Sequence, residues 1–198
     1  MSNEGGKTMG LRYLAIAAGL SLLQTAVLGA MIESRAGILR SGDEIVLKTA
    51  PVDPRDLLRG DYVILAYDIS AIPASIIIGD RPADAGWQTM QVRLRQGSDG
   101  YWTVAEASFG TLAPQDGSVI LQTQRFRYNG EADLEAGPIL RVDYGIERFY
   151  VPEGEGGEIE TARNEGDVTV VVRVGKGGQG QIRELRMGGA ALYEEPLY

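Results

Sequence analysis

The chain has 198 residues, 27 of them acidic and 19 basic, for a net charge of −8, and it contains neither cysteine nor histidine. Disulfides, thiolate nucleophiles, Cys/His zinc sites, histidine general bases and haem ligation through His or Cys are therefore excluded. Past residue 32 the balance is 26 acidic against 17 basic side chains with the basic ones dispersed, which argues against nucleic acid as a partner, because a phosphate-binding surface needs clustered Lys and Arg.

The first element is apolar. Leu14 to Ile32, LAIAAGLSLLQTAVLGAMI, holds nineteen residues without a charge. At ~1.5 Å per residue a helix of that length spans roughly 28 Å, close to the ~30 Å of bilayer hydrocarbon. The division expected is a cytoplasmic tail over residues 1–12, a transmembrane helix over 13–32 and one extracytoplasmic β-rich domain over 33–198. Lys7 and Arg12 before the run are matched by Arg35 and Arg40 after it, so the positive-inside rule is nearly balanced. The free amino terminus, and the ease with which a long following segment is translocated, favour a cytoplasmic N-terminus. A cleaved signal peptide is the competing reading. Its apolar region is shorter, ~7–15 residues, and here Leu28 stands where a small residue is wanted before cleavage. A buried helix of a soluble domain would carry a polar stripe.

Within the span Ala17, Ser21, Thr25 and Gly29 recur at every fourth position, with Gln24 beside them. Such a row lets a second helix approach closely, and lipid offers no hydrophobic drive for association, so small residues and amide or hydroxyl bonds do that work. The partner expected from this row is another membrane helix.

Beyond residue 33 short alternating runs are broken by Gly, Pro, Asp and Asn, a β pattern. Glu44–Thr49 reads as a strand. Asp53 and Pro54 open a helical turn running through Leu58, ended by Gly60. Tyr62–Ile69 is the next strand, with Val63, Leu65, Tyr67 and Ile69 on one face, Tyr62, Ile64 and Ala66 on the other, and both faces covered. Ala71–Ile78 is either helical after Pro73 or extended. Gln88–Arg95 and Tyr101–Ser108 form a hairpin across Gly97-Ser98-Asp99-Gly100. Ser118–Tyr128 and Pro138–Asp143 are further strands, and Gly157–Asn164 is a short helix closed by Gly166. Val168–Val174 and Gln181–Met187 make a final hairpin. The whole is a mainly β (α+β) domain, barrel- or sandwich-like, of about eight strands and two or three short helices. Residues 1–9 are expected to be disordered.

Residues Gly60-Asp61-Tyr62-Val63-Ile64-Leu65-Ala66-Tyr67 match every fixed position of G-D-Y-x-x-L-x-Y. In this the chain resembles the GDYXXLXY family, and the likeness extends through PVDPRDLLRGDYVILAY at Pro51–Tyr67, RFYVPEG at Arg148–Gly154, the short helix with Ala162-Arg163, and YEEPLY at Tyr193–Tyr198. The resemblance implies a bacterial membrane-anchored protein of unassigned activity whose gene accompanies those of multi-span membrane proteins. Read physically, the motif is a helix-to-strand corner: Gly60 takes a positive φ, and Asp61 accepts backbone N–H bonds or pairs with Arg55 or Arg59. Its alternative is a binding surface built from Asp61, Tyr62 and Tyr67.

Glu153, Glu155, Glu158 and Glu160 invite a calcium reading, but the ligand spacing of a calcium loop is not met, and acids near the start of a short helix account for them. No metal or cofactor is implied. Arg59-Gly60-Asp61-Tyr62-Val63 after a membrane span also resembles, more faintly, the signal-peptidase-like serine hydrolases. The Ser/Lys dyad of those enzymes is missing: the only lysines are Lys7, Lys48 and Lys176, and a nucleophile without a positioned base gains little. The expected function is thus a non-enzymatic accessory subunit of a polytopic membrane protein, with a periplasmic binding module for peptide or envelope glycan as the alternative and a dyad-less hydrolase relative third.

Overall fold

The computed structural model describes residues 5–52, 62–130, 137–152 and 154–195. The motif's Gly60 and Asp61, and the helical turn expected at Asp53–Leu58, lie outside them. The chain divides into two units, 1–37 and 38–198.

The first unit is helical. Helix α1 runs from Gly5 to Ser41, so four-residue-spaced helix geometry begins inside the segment expected to be disordered and continues nine residues past the expected end of the span at Ile32. Within Ile16–Ser41 an 18-residue window reaches a mean hydropathy of 1.6. Leu14, Ile16, Leu20, Leu22, Leu23, Val27, Leu28, Met31 and Ile32 are all exposed. At 100° per residue these positions point in every direction around the axis, so no single face could be hidden by packing on one side.

The second unit is a predominantly antiparallel β domain around one core. Its strands are β1 Asp43–Ala50, β2 Tyr62–Ile64, β3 Ala66–Tyr67, β4 Ala71–Pro73, β5 Gly86–Gln88, β6 Gln91–Gln96, β7 Trp102–Ser108, β8 Ser118–Gln122, β9 Phe126–Tyr128, β10 Ile139–Arg141, β11 Arg148–Tyr150, β12 Val168–Val174, β13 Gly180–Met187 and β14 Ala190–Glu194. The main sheet has the order β14-β13-β12-β1-β3, a second has β7-β6-β8, and β10-β4, β11-β2 and β5-β9 are two-stranded ribbons. In β1 the period-2 pattern places Ile45, Leu47 and Thr49 in the core. Strand β12, at the middle of the main sheet, reads VTVVVRV and buries five of its seven residues, as a strand covered on both sides must.

Several expectations need correction. Fourteen strands, not about eight, occur among the described residues, because ribbons of two or three residues carry too little periodicity to be read. The single strand expected over Ser118–Tyr128 is two. Thr123 exchanges bonds with Met90, whose N–H donates to Thr123 Oγ1 at 2.8 Å and whose carbonyl accepts from Thr123 N at 2.9 Å, and the chain then turns to pair β9 with β5. The strand expected over Tyr62–Ile69 breaks at Leu65 and ends in a 3-10 turn, Asp68–Ser70. Its inward face is buried as expected, whereas Tyr62, Ile64 and Ala66 are only half-buried. Ala71–Ile78 is both of the forms considered, strand β4 followed by a 3-10 turn over Ala74–Ile76. Arg148–Tyr150 is a strand that the sequence reading did not place. Among the described residues the only other α-helix is α2, Gly156–Asn164, closed as anticipated by Gly166 at φ +81°.

Candidate functional site

The described part of the motif lies where one stretch of chain changes partners. Strand β2 pairs with β11, setting Tyr62 opposite Tyr150, Val63 opposite Phe149 and Ile64 opposite Arg148. After Leu65, whose N–H donates to the Glu147 carbonyl at 2.8 Å, strand β3 pairs instead with β1. Of the two segments quoted for the family resemblance, YVI of GDYVILAY and RFY of RFYVPEG are therefore neighbours in one ribbon.

Two tyrosines fix the inner end of that ribbon reciprocally. Tyr67, 2% exposed, donates its hydroxyl to the Ile146 carbonyl at 2.6 Å. Tyr144, equally buried, donates to the Ile69 carbonyl at 2.7 Å. Each phenol thus satisfies a buried carbonyl that would otherwise lose its bond to water without replacement. Glu147 closes the intervening turn, its carboxylate accepting from Tyr144 N at 2.5 Å and Gly145 N at 2.8 Å. Burial raises the Glu147 carboxyl above its ordinary pKa, against the lowering effect of those N–H donors. Burial, and then the neighbouring Glu147 charge, push both phenols upward. They stay neutral donors.

Helix α2 also holds this ribbon, at Ile64 beside its inner end. Arg163, 2% exposed, donates Nη1 to the Ile64 carbonyl and Nε and Nη2 to Asn164 Oδ1 at 3.2 and 3.0 Å. The same oxygen accepts from Val52 N at 3.3 Å. Burial draws the Arg163 pKa down, with Glu160 opposing, but a guanidinium starts so high that it remains charged.

On the outside, Tyr150 is 72% exposed, its ring 5.9 Å from that of Tyr62, and the Arg148 guanidinium stands 5.6 Å from the Tyr62 ring centre. This tilted pair with a cation beside it is the exposed aromatic surface the motif presents. Of the proposed surface Asp61–Tyr62–Tyr67, Tyr67 faces the core, Tyr62 the outside, and Asp61 is outside the described residues. Leu65 is in the core. On α1, Ala17, Ser21, Gln24, Thr25 and Gly29 are exposed, with Thr25 Oγ1 donating back to the Ser21 carbonyl at 2.9 Å. No group of three or more acidic side chains fit to hold a metal occurs among the described residues.

Sequence reasoning passed over Tyr144, Glu147 and the clamping role of Arg163. For the first two no spacing signals the role. For Arg163 the only hint is that a helix with buried Ile159 and Ala162 places the next residue against the same core.

The family model for the GDYXXLXY protein matches residues 24–185, from inside α1 to Leu185 of β13. The chain belongs to the GDYXXLXY family, which carries no assigned function; the terminal YEEPLY segment lies beyond the matched region. No curated protein and no solved structure matches the chain.

Proposed function

We propose that this chain is a single-pass membrane protein of the bacterial inner membrane, uncleaved, with its N-terminus in the cytoplasm and its β domain outside, and that it acts as a non-enzymatic accessory subunit of a polytopic membrane protein. The observation that carries the reading is the nature of α1. Nine large apolar side chains on all sides of it are exposed, and at ~1.5–3 kcal/mol for each such side chain left in water the helix needs lipid or other helices around it. The nineteen-residue uncharged run, longer than the ~7–15 residues of a signal peptide's apolar region, and Leu28 where a small residue is wanted before cleavage, support an anchor over a signal peptide. The accessory role rests on the row Ala17, Ser21, Thr25 and Gly29, where an added Cβ at Gly29 meets nothing within 4 Å, leaving room for a partner helix.

Affinity isolation of the full chain after gentle detergent extraction tests this. A polytopic partner should be recovered with it, and replacement of Ala17, Ser21, Thr25 and Gly29 by Leu should abolish recovery while the chain still resists alkaline carbonate extraction. Recovery that survives those replacements removes the row from the argument. A mature chain beginning near residue 31, released by carbonate, overturns the anchor itself.

A further inference from the structure

Ribbon β5–β9 differs on its two sides. On the side toward the core, Phe126 and Tyr128 lie against Phe109, with ring centres 6.3 and 4.7 Å away, and Tyr128 is 1% exposed. The ribbon is thereby anchored, and what it carries on its other side is held in place. There Trp87 stands opposite Arg127, and side chains directly opposite in an antiparallel pair are neighbours. Trp87 is 63% exposed. Arg127 is exposed too, as is Arg125 two residues before it.

The fold makes no use of these two cations. Among the described residues neither Arg125 nor Arg127 has a hydrogen bond or an ion pair, although past residue 32 acidic side chains outnumber basic ones by 26 to 17. Elsewhere in the domain guanidinium groups are matched: Arg93 with Glu106, Arg173 with Glu44, Arg183 with Glu194 and Arg186 with Glu184. An open indole with two unpaired arginines beside it has the composition of a contact hot spot. The charges fix the sign of what it meets. Guanidinium forks take carboxylates through two bonds at once, and alternate residues of an extended chain lie ~6.5–7 Å apart on one side, so arginines at 125 and 127 match carboxylates on alternate residues of an extended peptide.

We propose that Trp87, Arg125 and Arg127 form a docking surface for an extended acidic segment of a partner protein, whose carboxylates at every second residue meet the arginines while its chain covers the indole. This surface belongs to the β5–β9 ribbon and is independent of the membrane helix and of the subunit reading.

Tryptophan fluorescence of the full chain in neutral detergent tests it. Trp87 and Trp102 are the two tryptophans, and Trp102 is partly buried against the core, so Trp102→Phe leaves Trp87 as the reporter. Titration with the end-capped peptide TETETE should shift its emission to the blue saturably, and added salt should weaken the effect. The glutamine peptide TQTQTQ, or the double variant Arg125→Gln with Arg127→Gln, should raise the apparent Kd about tenfold or more. Absence of a saturable shift overturns the proposal, and so does equal binding of the glutamine peptide. A blue shift on reconstitution into anionic phospholipid vesicles, absent in neutral ones, overturns it in favour of a lipid contact. Should the double variant fail to fold, the two peptides still decide.

Discussion

Tyr67 and Tyr144 each place a hydroxyl on the carbonyl two residues beyond the other, so the pair ties segment 67–69 to segment 144–146 twice over. Tyr67→Phe leaves the Ile146 carbonyl buried without that donor and should cost about 1–3 kcal/mol in urea unfolding. The double variant with Tyr144→Phe should cost less than the sum of the two singles, since both bonds hold the same two segments. Glu147 supplies a pH dependence of definite sign. Its carboxyl is raised by burial, so the folded chain takes up that proton at a higher pH than the unfolded chain does. The group's contribution to stability is therefore fully present below its unfolded value, about 4.3, and is lost as pH rises through its folded value. In Glu147→Gln that ionisation is gone. The advantage of wild type over the variant should therefore shrink from pH ~4 to ~7. A difference that widens would contradict the assignment.

Turns and strands show where local chemistry decides and where tertiary packing does. Gly178, in the turn between β12 and β13, has φ +80°, and a Cβ there would meet Gln122 Cβ and N at 3.1 Å and the Ile120 carbonyl at 3.3 Å. Gly189, between β13 and β14, has the same φ with nothing within 4 Å. Gly189→Ala should cost only the left-handed conformation, roughly 1–2 kcal/mol. Gly178→Ala should add overpacking against β8, about 1–3 kcal/mol more; equal thermal midpoints for the two variants would contradict this. The same division explains what could be read in advance. Gly97-Ser98-Asp99-Gly100 announced its hairpin through turn residues alone, and Tyr101 N indeed bonds Asp99 Oδ1 at 3.2 Å. The alternation of Ile45, Leu47 and Thr49 marked β1. The breaks at Leu65 and Thr123 were not legible, because they follow from partners distant in sequence: Glu147 and Asp143 take the N–H groups of Leu65 and Gln124. The motif announced itself as a pattern, yet its tyrosines divide between core and surface according to which strand each lies in, and the clamp from Arg163 joins residues 99 apart.

At the scale of the whole molecule, a cysteine-free chain lets one introduced thiol report on topology without background. A membrane-impermeant maleimide applied to intact spheroplasts should label Ser98→Cys, in an exposed turn of the β domain, and should not label Asn3→Cys until the membrane is permeabilised. The reverse pattern would overturn the orientation. The main sheet also governs the order in which the molecule can be made. Strand β1 finds its central neighbour only in β12, with Asp43 opposite Val174, so the sheet cannot close until the ribosome has delivered Val168–Val174. At ~5–20 residues per second of synthesis, β1 waits several seconds with its edge unsatisfied. Pairing across so long a loop is intrinsically slow, and this interval is when the nascent chain is most in need of a chaperone.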